Sequence, residues 1–317
     1  MKISELESSD VDDIIRIFEN QFVYKFAEDP HISREDILTT IWDDLICNLS
    51  SRTAFGYKAV YNSKLIGVAI LKPSRWDSEI LGINTTKISV FVKKYQKSVV
   101  DKLLTVLHNK AVENNIQLIF TRINLNNIFL IQHLLSQNYF LADILISLNK
   151  IEERESVVDI KQPSNLIIED VKMEYEEKLV DITRSAYIYS HYYTDTLIHF
   201  EKAEKIYIEW IKNSLRGYAN KILVAKQNKH IVGYITCKVI PIGKSRYGLI
   251  DLIAVRKSYQ QKDIGLHLIL SALKWFSNHV RTVYVATQAQ NIAAIRLYEK
   301  TGFRIVSSEA TLHHWLV

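Results

Sequence analysis

Asp251-Leu-Ile-Ala-Val255 followed by Arg256-Lys-Ser-Tyr-Gln-Gln-Lys-Asp-Ile-Gly265 is the stretch that decides how the chain is read. An apolar strand runs into a loop of main-chain donors and on into a helix ending near Asn278. Such a junction is an anion cradle, because several N–H groups converge there with the positive end of the helix dipole. Gln260 to Gly265 supply the cradle, and Gly265, having no Cβ, lets the backbone come close to a bound group. A second strand, Val283-Tyr-Val-Ala286, leads into Asn291-Ile-Ala-Ala-Ile-Arg-Leu-Tyr298. Asn291 and Tyr298 are two helical turns apart and so share one side of a helix, which Gly302-Phe303 ends with a glycine cap and an apolar anchor.

In this order the elements resemble the Gcn5-related N-acetyltransferase (GNAT) superfamily. Its signature is Gln/Arg-x-x-Gly-x-Gly/Ala at the acyl-CoA pyrophosphate loop, then an Asn…Tyr helix and Gly-Phe. Here the signature reads Gln260-Gln-Lys-Asp-Ile-Gly265, Asn291, Tyr298 and Gly302-Phe303. Asp263 stands where the family has its first glycine, and a carboxylate suits a pyrophosphate loop only if it turns outward.

At 317 residues the chain has room for two domains, and 48% hydrophobic with 24% charged residues reads as soluble and globular. The net charge of +5 is spread without a basic run, which argues against a nucleic-acid arm and suits an anionic ligand. Cys47 and Cys237 stand in apolar surroundings outside any metal or redox spacing, and are expected to be buried free thiols. No signal peptide or apolar run of ~20 residues is present, so a cytoplasmic location without membrane contact is expected.

Along the chain, helices are predicted over 9–27 and from a Ser33 cap to about Asn48. Gly56 to Tyr61 and Leu65 to Leu71 flank Asn62-Ser-Lys64 as a hairpin, and Lys87 to Val92 is a strand. A helix from about Tyr95 to Glu113, a strand over 116–122, a helix over 126–136 and a strand over 141–148 complete this half. Charged residues at 150–155 and Pro163 mark a linker. The second half repeats the plan, with a strand at Leu166 to Ile168, helices over 174–189 and 201–215, and a hairpin over 222–225 and 230–237.

The repetition has a register. Asn127 set against Asn291 gives an offset of 164 (291 minus 127), and the same offset pairs Tyr95 with Tyr259, Gln96 with Gln260 and Tyr139 with Phe303. The expected architecture is therefore α/β (α+β), two tandem GNAT folds, each a mixed, mostly antiparallel sheet flanked by helices. Residues 1–155 form a degenerate first domain and 164–317 a complete one. Leu134 stands opposite Tyr298 and Asp101 opposite Gly265, so the first copy is expected to bind no cofactor.

Trp76-Asp-Ser-Glu-Ile-Leu-Gly82 is read as a loop whose aromatic ring and carboxylates, Trp76, Asp77 and Glu79, either touch an acceptor or anchor a turn. Together with Trp210-Ile-Lys-Asn-Ser-Leu-Arg-Gly217 and the Val285 to Tyr298 segment, it resembles the nucleotide-sugar N-acetyltransferases of the dTDP-fucosamine acetyltransferase type. In that type a truncated GNAT half precedes a complete one, whereas this chain has two extra helices before residue 55.

The resemblance implies direct attack of an amine on the acetyl-CoA thioester. Such chemistry needs an oxyanion stabiliser, a proton donor for the thiolate and a route for the amine proton. Backbone N–H groups at Ile253 and Val255, with Ala254 between them, are the stabiliser candidates. Gln260, Gln261, Lys262, Asp263, Ile264, Gly265 and Leu266 are implied at the pyrophosphate, and Asn291, Ala294 and Tyr298 on the following helix. Tyr298 is the expected proton donor, since a phenol with a pKa of about 10 stays protonated at neutral pH. The alternative is a packing tyrosine, one of 17 in the chain. Asn291 also suits a helix cap, and Lys262 also suits a plain surface lysine.

Asp143, which interrupts an apolar strand, matches an acidic position that the resemblance places at the acceptor site, or else faces solvent at a strand edge. Ser190-His-Tyr-Tyr-Thr-Asp195 looks like the family's substrate loop, with His191, Tyr192 and Tyr193 stacking a base or sugar or else covering the core. His313 and His314 alternate in a strand and lack a third ligand, so no metal is expected.

The leading expectation is thus an acetyl-CoA-dependent N-acetyltransferase of a dTDP- or UDP-linked amino sugar, without metal and with a homodimer left open. Other amine acceptors (peptide, polyamine, antibiotic) and a non-catalytic acyl-CoA-binding role are the alternatives.

Overall fold

The computed structural model describes residues 1–22, 24–26, 29–51, 53–93, 96–151, 163–184 and 186–316. Tyr95 and the predicted linker, apart from Lys150, Ile151 and Pro163, lie outside the described residues.

In chain order the elements are β1 (Lys2–Glu5), α1 (Val11–Phe22), α2 (Arg34–Ser50), β2 (Phe55–Tyr61), β3 (Lys64–Pro73), α3 (Arg75–Leu81), β4 (Thr85–Val92), α4 (Lys97–Glu113), β5 (Leu118–Asn124), α5 (Ile128–Ser136) and β6 (Phe140–Ile151). They continue as β7 (Leu166–Asp170), α6 (Glu176–Thr183), α7 (His191–Thr194), α8 (Phe200–Asn213), β8 (Lys221–Gln227), β9 (His230–Ile242), β10 (Ser245–Val255), α9 (Ile264–Phe276), β11 (Thr282–Gln288), α10 (Ile292–Lys300) and β12 (Arg304–Trp315).

Local chemistry accounts for many boundaries. Asn62 and Ser63 join β2 to β3 at φ 48° and 58°, and Asn228 and Lys229 join β8 to β9 at 49° and 68°. Both are left-handed pairs of the kind two-residue hairpins require. Ser33 caps α2 by accepting the Asp36 N–H at 3.0 Å.

The chain forms two compact units: residues 1–27, 33–144 and 308–317, and residues 28–32 and 145–307. In the first, the strands run β1-β2-β3-β4-β5-β12, and in the second β6-β11-β10-β9-β8-β7. One pairing in each is parallel, β4 with β5 and β10 with β11. The sequence halves exchange their last strands. Leu145 to Ile151 of β6 pair with Gln288 to Thr282 of β11, while Glu309 to Trp315 of β12 pair with Asn124 to Leu118 of β5.

Each sheet has its own core. In the first unit α4 and α5 cover Ala59, Ala69, Leu71, Ile88, Val90, Ile119, Ile123, Ala310 and Leu312. On the opposite face Ile14 and Phe18 of α1 pack on Val68 and Ile70. In the second unit Ile264, Leu268, Ile269, Ala272 and Phe276 of α9 pack on Ile235, Cys237, Ile250, Val283 and Val285.

Several expectations are corrected. Trp76 to Leu81 is helical, because Ser74 hydrogen-bonds Asp77 at its start and Gly82, at φ 72°, ends it in a left-handed cap. The helix expected over 174–189 ends at Thr183, and His191 to Thr194 form a helical turn where a loop is predicted. Cys237 is buried but Cys47 is exposed, since Leu45 and Leu49, at its flanks, take the inward side of α2.

The C-terminal histidines do face opposite ways. His313 is buried and lies edge-on to Phe120 and Phe140, while His314 stacks on His108 and Tyr139 at 4.8 and 4.7 Å. His108 bonds the Tyr139 hydroxyl at 3.0 Å, and burial lowers its pKa to about 4. Among the described residues no helix is long and apolar enough to cross a membrane.

Candidate acyl-transfer site

The site begins with a fault in the second unit's sheet. β10 pairs in parallel with β11 only from Gly248 to Ile250, and then a bulge leaves Asp251 without a partner in the β9 register. Beyond it, among the described residues, β10 continues on β9 alone while β11 continues on β6. The two parallel strands therefore splay from Leu252 onward.

The direction of the N–H groups in the splayed segment follows from two bonds. Leu252 N donates to Thr236 Oγ1 at 2.9 Å and Arg256 N to the Val232 carbonyl at 2.8 Å, both on β9. Alternation then turns the N–H groups of Ile253 and Val255 the other way, into the gap that β11 has left. These are the two donors expected from the sequence.

Asp251 holds the fault in place. Its carboxylate is 3.3 Å from Lys238 Nζ, with both side chains less than a tenth exposed, and accepts a bond from Trp210 Nε1 at 2.8 Å. Lys238 in turn sits 3.1 Å over the Tyr218 ring. Lys238→Met leaves the carboxylate buried without its cation, and a loss of about 3–5 kcal/mol in urea unfolding is expected. A loss under about 1 kcal/mol would show that the pair is not what clamps the bulge.

At the end of β10 the loop turns back into α9. Gln261 and Asp263 take φ 59° and 53°, left-handed values that favour glycine. The Asp263 side chain points outward and pairs with Lys300 Nζ at 3.1 Å, so the cradle is not blocked by a carboxylate. Gln260 Nε2 bonds the Val255 carbonyl at 3.1 Å, and Lys262 Nζ bonds the Ser258 carbonyl at 3.1 Å over the Tyr259 ring. Ile264 and Leu266 are buried, so only their backbone faces the cradle. An ideal Cβ on Gly265 would lie 2.9 Å from Leu297 Cδ2, which shows how closely α9 and α10 approach here.

On α10, Asn291 caps the helix through Ala294 N at 3.3 Å and ties it to β11 through Thr287 Oγ1 at 3.1 Å. Gly302, at φ 89°, ends the helix and Phe303 N returns to the Tyr298 carbonyl at 3.0 Å. Tyr298 is buried with its ring 5.9 Å from Phe303, and burial raises its phenol pKa well above 10. Among the described residues no group of three or more His, Cys, Asp and Glu side chains is placed to hold a metal ion.

The segment carrying these features, residues 184–303, matches the acetyltransferase (GNAT) family. Those residues form a GNAT acetyltransferase domain, and the protein is an N-acyltransferase. It is 26% identical over 258 residues to the spore coat polysaccharide biosynthesis protein SpsD of Bacillus subtilis, covering 80% of this chain and 86% of that one. To the dTDP-fucosamine acetyltransferase of Escherichia coli O6:H1 it is 27% identical over 115 residues, 35% of this chain and 46% of that one. A tandem GNAT protein from the clavulanic acid biosynthesis pathway superposes with a TM-score of 0.57 at 12% identity, covering 99% and 98% of the two chains, which supports the tandem fold.

Within the GNAT domain the sequence missed a group of phenols. Tyr234 on β9 bonds Thr183 Oγ1 at 2.7 Å and Tyr187 at 3.1 Å, and the field of Tyr298 reaches Tyr187. Burial pushes Tyr234 up to about 12 and Tyr187 well above 10. The one available signal was a tyrosine inside the apolar run Ile231 to Ile235. His191, Tyr192 and Tyr193 join an aromatic group in the same unit: Tyr207 stacks on Tyr187 at 4.5 Å and on Tyr193 at 6.2 Å, with Trp210 at 6.0 Å. His191 is buried, with the Tyr192 ring tilted against it at 3.9 Å.

The remaining candidates lie in the other unit. Asp143 is buried on β6, and α3 carries the buried Asp77, the half-buried Trp76 and the exposed Glu79.

The 164-residue register explains how the two copies differ. Asn127 caps α5 through Leu130 N at 3.4 Å, as Asn291 caps α10, and Asn138, at φ 64°, takes the place of Gly302. Opposite Gly265 and Leu297 stand Asp101 and His133, whose carboxylate and ring nitrogen lie 3.0 Å apart. α4 begins at Lys97, opposite Gln261, and buried Val99 stands opposite Asp263. The helix and the Asp101–His133 contact thus fill the position that in the second copy is an open loop.

Proposed function

We propose that the protein transfers the acetyl group of acetyl-CoA to the amine of a nucleotide-linked amino sugar. The observation that carries the transfer is the splayed end of β10, where two inward-turned N–H groups, a loop at a helix N-terminus and a buried phenol lie in one unit. The sugar acceptor is supported by the likeness to SpsD over most of both chains, and by the likeness of 115 residues to a dTDP-fucosamine acetyltransferase.

The residues fit an acyl-CoA. The loop from Gln260 to Gly265 offers backbone donors, with its carboxylate turned away and Lys262 beside it. Bound there, acetyl-CoA supplies the thioester carbon that an amine attacks. The Ile253 and Val255 N–H groups donate to an oxygen on which negative charge grows. Tyr298 holds a proton that it can give to a departing sulfur while the attacking amine sheds its own to solvent, and burial keeps the phenol protonated throughout the neutral range. In the first unit, Asp143 with Trp76, Asp77 and Glu79 is proposed to contact the acceptor, and no acyl-CoA binds between Asp101 and His133.

Thiol release from acetyl-CoA, followed with a panel of dTDP- and UDP-amino sugars, tests the reading. Turnover with at least one nucleotide sugar is expected. Turnover confined to peptide amines, polyamines or aminoglycosides would overturn the acceptor while leaving acyl transfer in place.

A further inference from the structure

α1 and α2 lie on the face of the first unit's sheet opposite α4 and α5. α1 and α2 cover Val68 and Ile70 on β3, and Asp44 of α2 neutralises Lys72 at 2.8 Å. Farther across, alternation and register turn Lys87 of β4, Phe120 and Arg122 of β5, and Glu309, Thr311 and His313 of β12 to this same face. Lys87 is opposite Phe120, His313 is opposite Phe120, and Thr311 is opposite Arg122. Neighbouring strands lie about 4.8 Å apart, so these side chains reach a common point.

Lys25, in the turn after α1, joins them. The fields of Glu309 and Arg122 act on both Lys25 and Lys87, so the four charged groups form one cluster. Lys87 is exposed, whereas Glu309, Thr311 and His313 on the same face are buried, so the face runs from a solvent-open side into a recess.

Two features call for an acceptor-rich guest. Three cations meet a single carboxylate, an excess of positive charge that is costly to keep partly dehydrated. Arg122 Nε and the Thr311 hydroxyl are moreover buried without a hydrogen-bond partner, and Thr311 is fully buried. Orphaned donors facing one another across a strand pair are what an anion's oxygens satisfy.

We propose that this recess of the first unit binds the diphosphate of a nucleotide-linked ligand, held by Lys25, Lys87, Arg122 and Thr311 beside the Phe120 ring. The proposal rests on the nucleotide-sugar reading above and gives the degenerate copy a role of its own.

The test is calorimetry on the full chain presaturated with CoA, so that the GNAT loop is occupied, titrated in turn with inorganic pyrophosphate, dTDP and UDP. Pyrophosphate and at least one nucleoside diphosphate are expected to bind. Lys87→Met and Arg122→Gln are each expected to bind about tenfold more weakly, with CoA affinity unchanged. Lys87 is exposed, so its variant is informative even if the Arg122 variant folds poorly. No pyrophosphate binding, undiminished binding by Lys87→Met, or exclusion of both nucleoside diphosphates overturns the recess while leaving acyl transfer untouched. Failure to acetylate any nucleotide sugar overturns the acceptor reading and leaves the pyrophosphate isotherm standing.

Discussion

Tyr298→Phe is expected to lower kcat by about 10²–10⁴-fold with CoA affinity nearly unchanged. The phenyl ring that remains fills the same space against Phe303, so the change removes a proton and little packing. Burial raises the phenol's pKa, so the wild-type tyrosine carries its proton at every pH at which the protein is ordinarily assayed. The pH–rate profile should therefore show no alkaline loss from this group below about pH 10. Paired kcat and CoA-binding measurements decide the matter. An unchanged kcat would leave Tyr298 as a packing residue and pass the proton to another donor, with Tyr187 and Tyr234 the next phenols in the unit.

The second large effect comes from rebuilding the first copy's Asp–His contact in the second. Gly265→Asp combined with Leu297→His places there the residues that the 164-residue offset supplies as Asp101 and His133, which meet at 3.0 Å. In the wild type a Cβ at Gly265 would already lie 2.9 Å from Leu297, whose side chain can yield to alanine but not to a carboxylate with an imidazole. The double variant should fold, because the first copy shows that this helix pair accepts the exchange. CoA affinity should fall by about a hundredfold, or about 2.7 kcal/mol, as a carboxylate replaces open space before a phosphate. Gly265→Ala is the mild control. An unchanged CoA isotherm for the double variant would place the pyrophosphate away from α9.

Much of this was legible in the residues because the signals are local. Asn291 and Gly302 sit seven before-to-four after Tyr298 in a helix whose cap and stop are written in the sequence, and both take the expected conformations. The constant offset revealed the duplication, and even the exceptions it flagged, Asp101 and Leu134, lie where the copies differ. Asp263 was legible as a departure, but that it takes a glycine-like φ and gives its carboxylate to Lys300 depends on a residue 37 positions away.

What escaped was non-local. Alternation in 140–151 and 304–315 announces strands without saying which sheet receives them, so the exchange could not be read. The segment from Trp76 to Gly82 carries a serine–aspartate start and a glycine stop, signals overlooked because the aromatic and acidic residues suggested a loop. Lys87, Arg122 and Thr311 are unremarkable within their own strands, and only register brings them to one face.

The exchanged strands also bear on how the molecule is made. The first unit's sheet lacks an edge until residues 309–315 have been synthesised, long after the rest of that unit, which ends at residue 144, has left the ribosome. Severing the polypeptide between the copies would give two fragments, each carrying a ribbon that belongs to its neighbour. The duplicated halves are therefore no longer separable genes in tandem but a single cooperative product, and truncation at the carboxyl end strikes first at the amino-terminal unit.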